Sequence, residues 1–430
     1  MRRLDASEPG FAAEFDALVN DRRESTSDVS ADVAAIIARV KAEGDAALAD
    51  YTAKFDRFDL GASGWSISKE DCAAAYEALA PDLRDALNLA ADRIRAYHAA
   101  QLPEDRDYRD ATGARLGARW NAVDAAGVYV PGGRAAYPSS VLMNILPAKV
   151  AGVERIVMMT PTPGGETNQV VMAAAHVGGV DEIWRIGGAQ AVAALAYGTD
   201  KIAPVDVVTG PGNAWVAEAK RQVYGVVGID MVAGPSEIVV VADNRNAPNV
   251  IAADLLSQAE HDPTSQSILF TDDAAFADAV AEAVDAIIPT LGTAATMRTS
   301  WADNGAVIIV PTLADAIPLC DRLAPEHLEL AVDAAEADAL FAKVRHAGSV
   351  FLGRQTPEAI GDYVAGPNHV LPTGRRARFS SGLSVSDFMK RTSFLALDET
   401  SLAAIGPAAV ALAGAEGLPA HALSVSQRLS

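Results

Sequence analysis

The sequence has few cysteines, few aromatic residues and no long apolar run, and each shortage excludes a class of protein. Cys72 and Cys320 are its two cysteines, too few for a disulfide framework or a cysteine-rich metal site. No stretch reaches the roughly eighteen uninterrupted apolar residues of a membrane span. The first residues, Met1-Arg2-Arg3-Leu4-Asp5, lead into polar sequence rather than the apolar core of a signal peptide. We therefore expect a cytoplasmic protein.

A surplus of positive charge is also missing. The chain has 35 Lys and Arg against 56 Asp and Glu, a formal net charge of -21, which argues against a surface for nucleic acid or anionic membranes. Its 430 residues are too many for one compact core and predict two or more domains. Half of the residues are hydrophobic but only 6% are aromatic, a composition typical of α/β proteins.

The pattern of apolar residues changes along the chain. Residues 1 to about 125 are expected to be helical, because apolar positions recur every three or four residues in 29–49 and 69–99. From residue 126, short apolar strands alternate with turns and helices, the pattern of βαβ crossovers and a parallel sheet. A second such series starts near residue 237. The sequence therefore predicts two successive α/β units.

The last part of the chain has a different texture. From about Arg375 we expect no further strand, and a polar loop that leads to one helix over Ser401 to Glu416. Gly417 would end this helix, and Pro419 would then hold His421 on a short, stiff arm.

Glycine-rich turns follow three of the predicted strands of the first α/β unit. They are Pro131-Gly132-Gly133, Gly187-Gly188-Ala189-Gln190 and Gly210-Pro211-Gly212-Asn213. Such turns at the carboxyl ends of parallel strands offer helix N-termini to phosphates, but they also serve tight strand-to-helix geometry. The dinucleotide fingerprint G-x-G-x-x-G is absent. Tyr129, Gln190 and Asn213 flank the turns and are candidates for contacts to a nucleotide.

A possible metal site begins at the end of a predicted helix. Gln258 and His261 are three residues apart, just before Pro263, so they share one helix face. Taken alone, this pair is more typical of a solvated last turn, and a zinc site would need two further ligands. Asp362 lies near a predicted turn, where a carboxylate more often caps a helix.

An acid stands directly beside an imidazole in Glu326-His327. Their reference pKa values, about 4.3 and 6.5, suit a reaction with two proton-transfer stages. By itself the dipeptide is more typical of a surface glutamate beside a helix-capping histidine than of a catalytic pair.

Several motifs, taken together and in order, resemble the histidinol dehydrogenase family. The resemblance covers nearly the whole chain. The matching segments are 127–133, 187–191, 210–213, Ala233-Gly234-Pro235-Ser236-Glu237, Gln258-Ala259-Glu260-His261-Asp262, Ala324-Pro325-Glu326-His327-Leu328, Gly366-Pro367-Asn368-His369, 388–392 and 415–421.

The resemblance implies an α/β fold with two incomplete Rossmann-like parallel-sheet domains and smaller terminal segments. Residues 1–30 would form an N-terminal helical arm. Residues 31–126 together with 237–373 would form the first domain, with a helical lead-in, and 127–236 the second, NAD-contacting domain. A tail, 374–430, would reach the partner subunit of a homodimer with shared active sites.

The resemblance also assigns the site residues. One zinc ion per subunit would be held by Gln258, His261, Asp362 and the tail His421 of the other subunit. Glu326 and His327 would be catalytic, and Tyr129, Gln190 and Asn213 would contact NAD. The substrate would meet the zinc ligands, His327 and three further residues: Ser236, His369 and Glu416.

The implied reaction oxidises L-histidinol to L-histidine through L-histidinaldehyde, with two hydrides passed to two NAD molecules. His327 suits the base that takes the hydroxyl proton, and Glu326 the activator of water for the second stage. Three alternatives remain open: a related zinc- and NAD-dependent dehydrogenase of another small polar alcohol, a zinc hydrolase in which the glycine turns are structural, and a non-catalytic binding protein.

Overall fold

The computed structural model describes residues 1–21, 28–132, 137–232 and 234–429. Gly133 and Ala233, which belong to two of the motifs above, lie outside the described residues. The strands in the described part of the chain are β1 Arg2–Asp5, β2 Arg106–Arg109, β3 Arg115–Ala122, β4 Ala125–Tyr129, β5 Arg155–Met159, β6 Glu182–Trp184, β7 Val207–Thr209, β8 Gly228–Ile229, β9 Glu237–Ala242, β10 Gln266–Thr271, β11 Ala306–Ile309, β12 His327–Ala331, β13 Ser349–Leu352 and β14 Met389–Ala396.

The α-helices in the same ranges are α1 Phe11–Asn20, α2 Ser30–Glu43, α3 Asp45–Asp56, α4 Leu60–Ser63, α5 Lys69–Glu77, α6 Pro81–Ala99, α7 Pro138–Ala151, α8 Gln169–Gly178, α9 Gly188–Tyr197, α10 Ala214–Val223, α11 Pro248–Ala259, α12 Ala274–Ile287, α13 Ala294–Asn304, α14 Leu313–Leu323, α15 Ala334–Phe341, α16 Glu358–Gly361, α17 Glu399–Ala415 and α18 Pro419–Ser426. Across this part of the chain, no helix combines the length and apolar character needed to cross a membrane.

One parallel sheet has six strands in the order β1-β11-β10-β9-β12-β13. Strands β9, β10 and β12 are buried along their whole length, as expected where helices cover both faces. The strand order reverses between β9 and β12, which makes their boundary the topological switch point of the sheet. Beyond the carboxyl ends of these strands, Arg354 pairs with Asp243 (2.5 Å) and Asp333 (2.9 Å), so ion pairs lie where open α/β sheets usually bind ligands.

The other parallel sheet has five strands in the order β6-β5-β4-β7-β8, and its switch point lies between β4 and β7. Strand β4 is fully buried, and an apolar core covers each face of the sheet. The predicted fold class, α/β with two parallel-sheet units, is therefore confirmed.

The helices between residues 30 and 99 pack mainly against the five-stranded unit. α2 contacts α9, α5 contacts α8, and α6 contacts α7. The predicted division had grouped residues 31–126 with 237–373, and these contacts favour grouping the helices with the 125–229 sheet instead. As a division into separate domains, the boundaries stay a prediction.

Two expectations about the chain ends were wrong. Residues 1–125 are not all helical, because β1 pairs in parallel with β11, about 300 residues away, and β2 and β3 form a hairpin. Strands also do not stop near Arg375, since β14 pairs antiparallel with β3 over eight residues. Strands β2 and β14 are largely exposed, and neither shows the apolar alternation that marks a half-buried strand.

The end of the tail also differs from its prediction. His421 does not lie on a stiff arm but in a second tail helix, α18, which packs on α17. Pro419 stands at the first helical position, where its missing N–H costs nothing and its fixed φ favours the helix. The proline therefore starts a helix here instead of preventing one.

Candidate active site

The Glu326-His327 pair lies where the chain turns from α14 into β12. Ala324 ends α14 with φ 44°, in the left-handed region that side chains with a Cβ rarely adopt, and Pro325 follows it. His327 then begins β12 and pairs in register with Ile238 of β9 and Ser349 of β13. The pair thus stands at the amino edge of the six-stranded sheet, opposite the edge closed by the Arg354 ion pairs.

A cavity of about 180 Å³ opens at this edge. Its described lining includes His327, Phe351, Asp362, Asn368 and His369. The cavity therefore brings the predicted site residue His327 together with Asp362 and His369. Glu326 is not among the described residues that line it.

His327 is buried and held by its neighbours. Its Nδ1 lies 3.2 Å from the backbone carbonyl oxygen of Glu237, and its Nε2 lies 3.5 Å from Oε1 of Glu358. Burial lowers the pKa of His327 to about 4, although Asp362 and the Glu237 carbonyl act in the opposite direction. The ring is therefore neutral at pH 7 and able to accept a proton.

Glu326 is also buried. Its Oε2 accepts a hydrogen bond from the backbone N–H of Glu237 (3.1 Å) and lies 3.8 Å from Nδ1 of His327. Burial raises the pKa of Glu326 well above its usual range, and this hydrogen bond only partly opposes the change. Such a carboxyl is a strong base whenever it is ionised.

Glu358 is a site residue that the sequence interpretation missed. It is 2% exposed, its Oε2 accepts a hydrogen bond from Ser257 (3.0 Å), and burial raises its pKa to about 8, aided by the charge of Asp362. The spacing of Glu358 and Asp362, four residues apart, could have indicated a shared face. Nothing in the sequence pointed to His327 as the partner of Glu358, because α16 reaches β12 only through tertiary packing.

Two further carboxyls, those of Glu329 and Asp254, lie next to Glu358. The backbone N–H of Glu358 donates to Oε2 of Glu329 (3.2 Å). Burial raises the pKa of Glu329, as does the charge of Asp254, and burial raises the pKa of Asp254 to about 6. Close packing thus favours protonated carboxyls on this side of His327.

The pKa of Asp362 is lowered, in contrast to the raised pKa values of the buried glutamates. Burial by itself would raise the pKa of its carboxyl, but the hydrogen bond from His369 and the charges of His369, His327 and His261 outweigh it and lower the pKa. His369 Nδ1 lies 3.6 Å from Oδ1 of Asp362 and 3.2 Å from its backbone carbonyl oxygen. Asp362 is thus an ionised carboxylate at the cavity wall.

The loop that carries His369 is held by the other sheet's helices. Arg93 of α6 donates to the carbonyl oxygen of Ala365 (3.0 Å), and Asn368 donates to the carbonyl oxygen of Met143 in α7 (2.6 Å). His98 of α6 lies 3.3 Å from the same Asn368 amide. Helices packed on the five-stranded sheet therefore position the loop that carries His369, while the described lining of the cavity comes from residues 327–371.

A divalent metal fits this group of side chains. Gln258, in the last turn of α11, is buried, and its Oε1 has no hydrogen-bond partner within the described part of the structure. His327, Glu358 and Asp362 each offer a ligand atom, and these atoms lie within 4.8 Å of one another. This triad shares only Asp362 with the predicted ligand set, whose His261 interacts electrostatically with Asp362. Carboxylate and imidazole are ligands that zinc accepts.

The remaining predicted substrate residues lie in two places. Ser236 immediately precedes β9 and is half-buried, beside Glu237 at the same amino edge. Glu416 and His421 are exposed on the tail helices, and neither belongs to the described lining of the cavity. The single chain thus does not bring the tail residues to its own cavity.

The predicted NAD contacts lie in the five-stranded unit. Tyr129 ends β4 and is 4% exposed, and its hydroxyl oxygen accepts a hydrogen bond from the N–H of Gly188 at the start of α9 (3.1 Å). Burial raises the pKa of Tyr129 to about 12. Gln190, one turn into the same helix, is buried. Asn213 caps α10, accepting from the N–H groups of Trp215 and Val216.

One of the glycine turns, at the end of β7, lies at the switch point of this sheet. Gly210 has φ 112°, and a Cβ placed there would come within 2.1 Å of the carbonyl oxygen of Tyr129, so only glycine fits. The end of β7 thus packs closely against the end of β4, at the position where open α/β sheets bind ligands.

Fold and site together define an α/β protein with two parallel sheets, an acid–base cavity at the amino edge of one and a glycine turn at the switch point of the other. The family model for histidinol dehydrogenase matches residues 19–429. The chain therefore belongs to the histidinol dehydrogenase family.

Individual relatives agree over their whole length. The chain is 65% identical to a histidinol dehydrogenase of Zymomonas mobilis, covering 100% of this chain and 99% of the relative. It is 61% identical to one of Rhodospirillum rubrum, covering 100% and 98%. The crystal structure of a histidinol dehydrogenase from Elizabethkingia anophelis matches with a TM-score of 0.94 at 34% identity, covering 100% and 98%.

Proposed function

We propose that this protein oxidises L-histidinol to L-histidine through L-histidinaldehyde, the last two oxidations of histidine biosynthesis, with NAD as the oxidant. The observation that carries the proposal is the neutral, buried His327 at a cavity that also holds Asp362 and His369, in a chain that belongs to the histidinol dehydrogenase family.

In the first oxidation, His327 accepts the hydroxyl proton. A hydrogen bond from Nδ1–H to the carbonyl oxygen of Glu237 (3.2 Å) fixes the tautomer in which Nε2 is the acceptor. The low pKa of His327, about 4, keeps the ring unprotonated before the substrate arrives. The proton and the hydride then leave in the same stage, which yields the aldehyde.

In the second oxidation, Glu326 takes a proton from water as the water adds to the aldehyde. The raised pKa of the buried Glu326 carboxyl makes its ionised form a strong base. The resulting hydrate has the carbon–hydrogen bond that the second hydride transfer needs, and its oxidation gives the carboxylate.

A thiol route to the acid is disfavoured by the two cysteines. Burial raises the pKa of Cys72 to about 11 and that of Cys320 above its usual range. Both thiols are buried, and a reactive cysteine needs access and a thiolate. Water is therefore the better nucleophile for the second stage.

One zinc ion per subunit would be held by Gln258, His261, Asp362 and the partner's His421. When bound, zinc supplies a Lewis acid that can grip the imidazole and amine of histidinol, both good ligands when neutral. The unpartnered buried Oε1 of Gln258 supports this set. Ser236, His369 and Glu416 would complete the contacts to the substrate.

NAD would bind beside the glycine turn at the switch point of the five-stranded sheet and supply the hydride acceptor. Tyr129, Gln190 and Asn213 would contact it, since they lie at the starts of α9 and α10 and at the end of β4, beside the switch point. Helix N-termini at this position favour the pyrophosphate.

The active protein would be a cytoplasmic homodimer with shared active sites. The tail leaves large apolar side chains exposed, among them Leu395 (69%), Leu412 (65%) and Leu423 (56%), and a partner subunit that covered them would remove this apolar surface from water. A partner would cover these side chains and receive His421 and Glu416 in its cavity.

The direct test is NADH formation from L-histidinol, followed at 340 nm, with and without a chelator. We expect two NADH for each histidinol, loss of turnover after metal removal and recovery with zinc. Turnover of another small polar alcohol but not histidinol would favour the related dehydrogenase, and hydrolysis without NADH would favour a zinc hydrolase. Binding of ligand without any turnover would favour a binding protein.

A further inference from the structure

A buried ion pair stands directly beneath the glycine turn at the end of β7. Lys220 of α10 and Asp230, immediately after β8, form the pair, with 3% and 1% of their side chains exposed. Removing two charges from water is costly, and a buried ion pair often adds little net stability compared with apolar residues. Its energetic value alone therefore does not explain why this pair is buried here.

Both members of the pair bind the same residue. Lys220 Nζ donates to the carbonyl oxygen of Gly210 (2.9 Å), and Asp230 Oδ2 accepts from the N–H of Gly210 (2.9 Å). Asp230 Oδ1 also accepts from the N–H of Met231 (2.6 Å). The two charges thus hold Gly210 by both of its backbone groups, and charge-assisted hydrogen bonds are the stronger kind.

Close packing at Gly210 and Gly212 leaves the Gly210–Asn213 turn little conformational freedom. Gly210 sits against the carbonyl oxygen of Tyr129 at φ 112°, and a Cβ at Gly212 would come within 2.4 Å of Val216. The turn is thus wedged between β4 and α10, at the switch point of the sheet. A shift of Gly210 would move Asn213 and the start of α10 with it.

We infer that Lys220 and Asp230 are positioning residues that hold the Gly210–Asn213 turn in the geometry that accepts the dinucleotide. This inference rests on the proposed use of NAD. Neither residue touches the His327 cavity through its described contacts, so the pair acts on the cofactor side only. Its loss should weaken NAD binding while leaving the metal and histidinol side unchanged.

The test replaces the pair by apolar residues of similar size, Lys220→Met with Asp230→Leu, which avoids an unpaired buried charge. The dissociation constant for NAD, measured by calorimetry, is expected to rise about tenfold, the effect of losing hydrogen bonds to charged groups. Zinc content and the KM for L-histidinol should stay as in the unmodified protein. A folded double variant with unchanged NAD affinity would overturn the inference.

A second pair of substitutions separates position from charge. Lys220→Gln with Asp230→Asn keeps a donor and an acceptor for Gly210, and its NAD affinity should return to within about threefold of the unmodified protein. The control is Lys149→Met with Asp181→Leu. That Lys–Asp pair (2.9 Å) lies beside the same sheet at its amino edge, and Asp181 likewise accepts a backbone N–H, from Ile156. It is less buried, with 30% and 29% of its side chains exposed. Equal loss of NAD affinity in the control would mean that the effect is general destabilisation.

Amide hydrogen exchange makes the test independent of the variants' folding and of NAD. In the unmodified protein without NAD, the Gly210 amide should exchange at least about a hundredfold more slowly than an exposed loop amide. Rapid exchange there would contradict the inference. A separate outcome is that the unmodified protein binds no NAD while its Gly210 amide exchanges slowly. That result would contradict the proposed function, but it would still show that Lys220 and Asp230 hold the turn in place.

Discussion

The Nδ1 atom of His327 lies 3.2 Å from the backbone carbonyl oxygen of Glu237, the first residue of the adjacent strand β9. The same residue, Glu237, donates its backbone N–H to Glu326 (3.1 Å). One peptide segment of β9 therefore holds both proton-handling side chains. This arrangement gives the two groups fixed orientations and makes their roles separable by substitution.

Replacing His327 tests the base of the first stage. His327→Asn should lose two to four decades of turnover with histidinol, roughly the contribution of general acid–base catalysis. Zinc content, measured by atomic absorption, should stay near one ion per subunit, since His327 lies outside the proposed ligand set. Near-normal turnover would contradict the assignment, and loss of zinc would indicate that His327 is a ligand, as the triad with Glu358 and Asp362 allows.

Replacing Glu326 tests the activation of water. Glu326→Gln keeps an oxygen for the N–H of Glu237 but removes the base, so aldehyde oxidation should slow much more than alcohol oxidation. The measurement is single-turnover NADH formation from histidinol and from histidinaldehyde. Equal losses in the two half-reactions would show that Glu326 does not act selectively on water.

The cysteines provide a test of the nucleophile. Since Cys72 and Cys320 are both buried with raised pKa values, the double variant Cys72→Ala with Cys320→Ala should keep both oxidations at near-normal kcat. A variant that stops at the aldehyde would revive the thiol route. Thermal melting should accompany the assay, because removing two buried thiols leaves small cavities.

Glu358 should make the stability of the zinc-free protein depend on pH. Its carboxyl has a pKa of about 8 in the folded protein against 4.5 for the ordinary value, so the folded state holds its proton longer than the unfolded state. The contribution of the Glu358 carboxyl to folding stability is fully present below about pH 4.5 and is lost as the pH rises through 8.

Glu358→Gln resembles the protonated carboxyl and should remove this loss. The melting temperatures of variant and unmodified protein should differ little near pH 4.5, and the variant should melt at a higher temperature at pH 8.5. Both proteins are to be measured after chelation. A variant that is less stable than the unmodified protein at pH 8.5 would show that ionised Glu358 is well solvated or paired.

Mixing two inactive variants tests the shared active sites. His261→Asn and His421→Asn should complement each other, because one site of a mixed dimer receives both lesions and the other receives none. Free exchange gives about half heterodimers, each with one intact site, so about a quarter of the normal activity is expected. Tag pull-down verifies exchange. Verified heterodimers without activity would mean that His421 serves its own subunit.

The sequence predicted well those features that depend on neighbouring residues. Strand–turn–helix alternation gave the α/β class, and the glycine turns were expected at strand ends, where Gly188 and Gly210 stand. It predicted poorly the features that depend on distant pairing. β1 and β14 were missed because their partners, β11 and β3, lie hundreds of residues away and neither strand shows a clear alternation of apolar and polar residues.

The chemistry of the site divides in the same way. The sequence by itself determined which proton-handling groups are adjacent, Glu326 and His327, and which glycines permit the turns. The tertiary structure decided their protonation, because the desolvation that lowers the pKa of His327 and raises that of Glu326 comes from packing between β9, β12 and α16. It also brought Glu358 to His327 and left His421 outside the cavity, since contacts across strands and helices, unlike spacing along the chain, are fixed only when the sheet assembles.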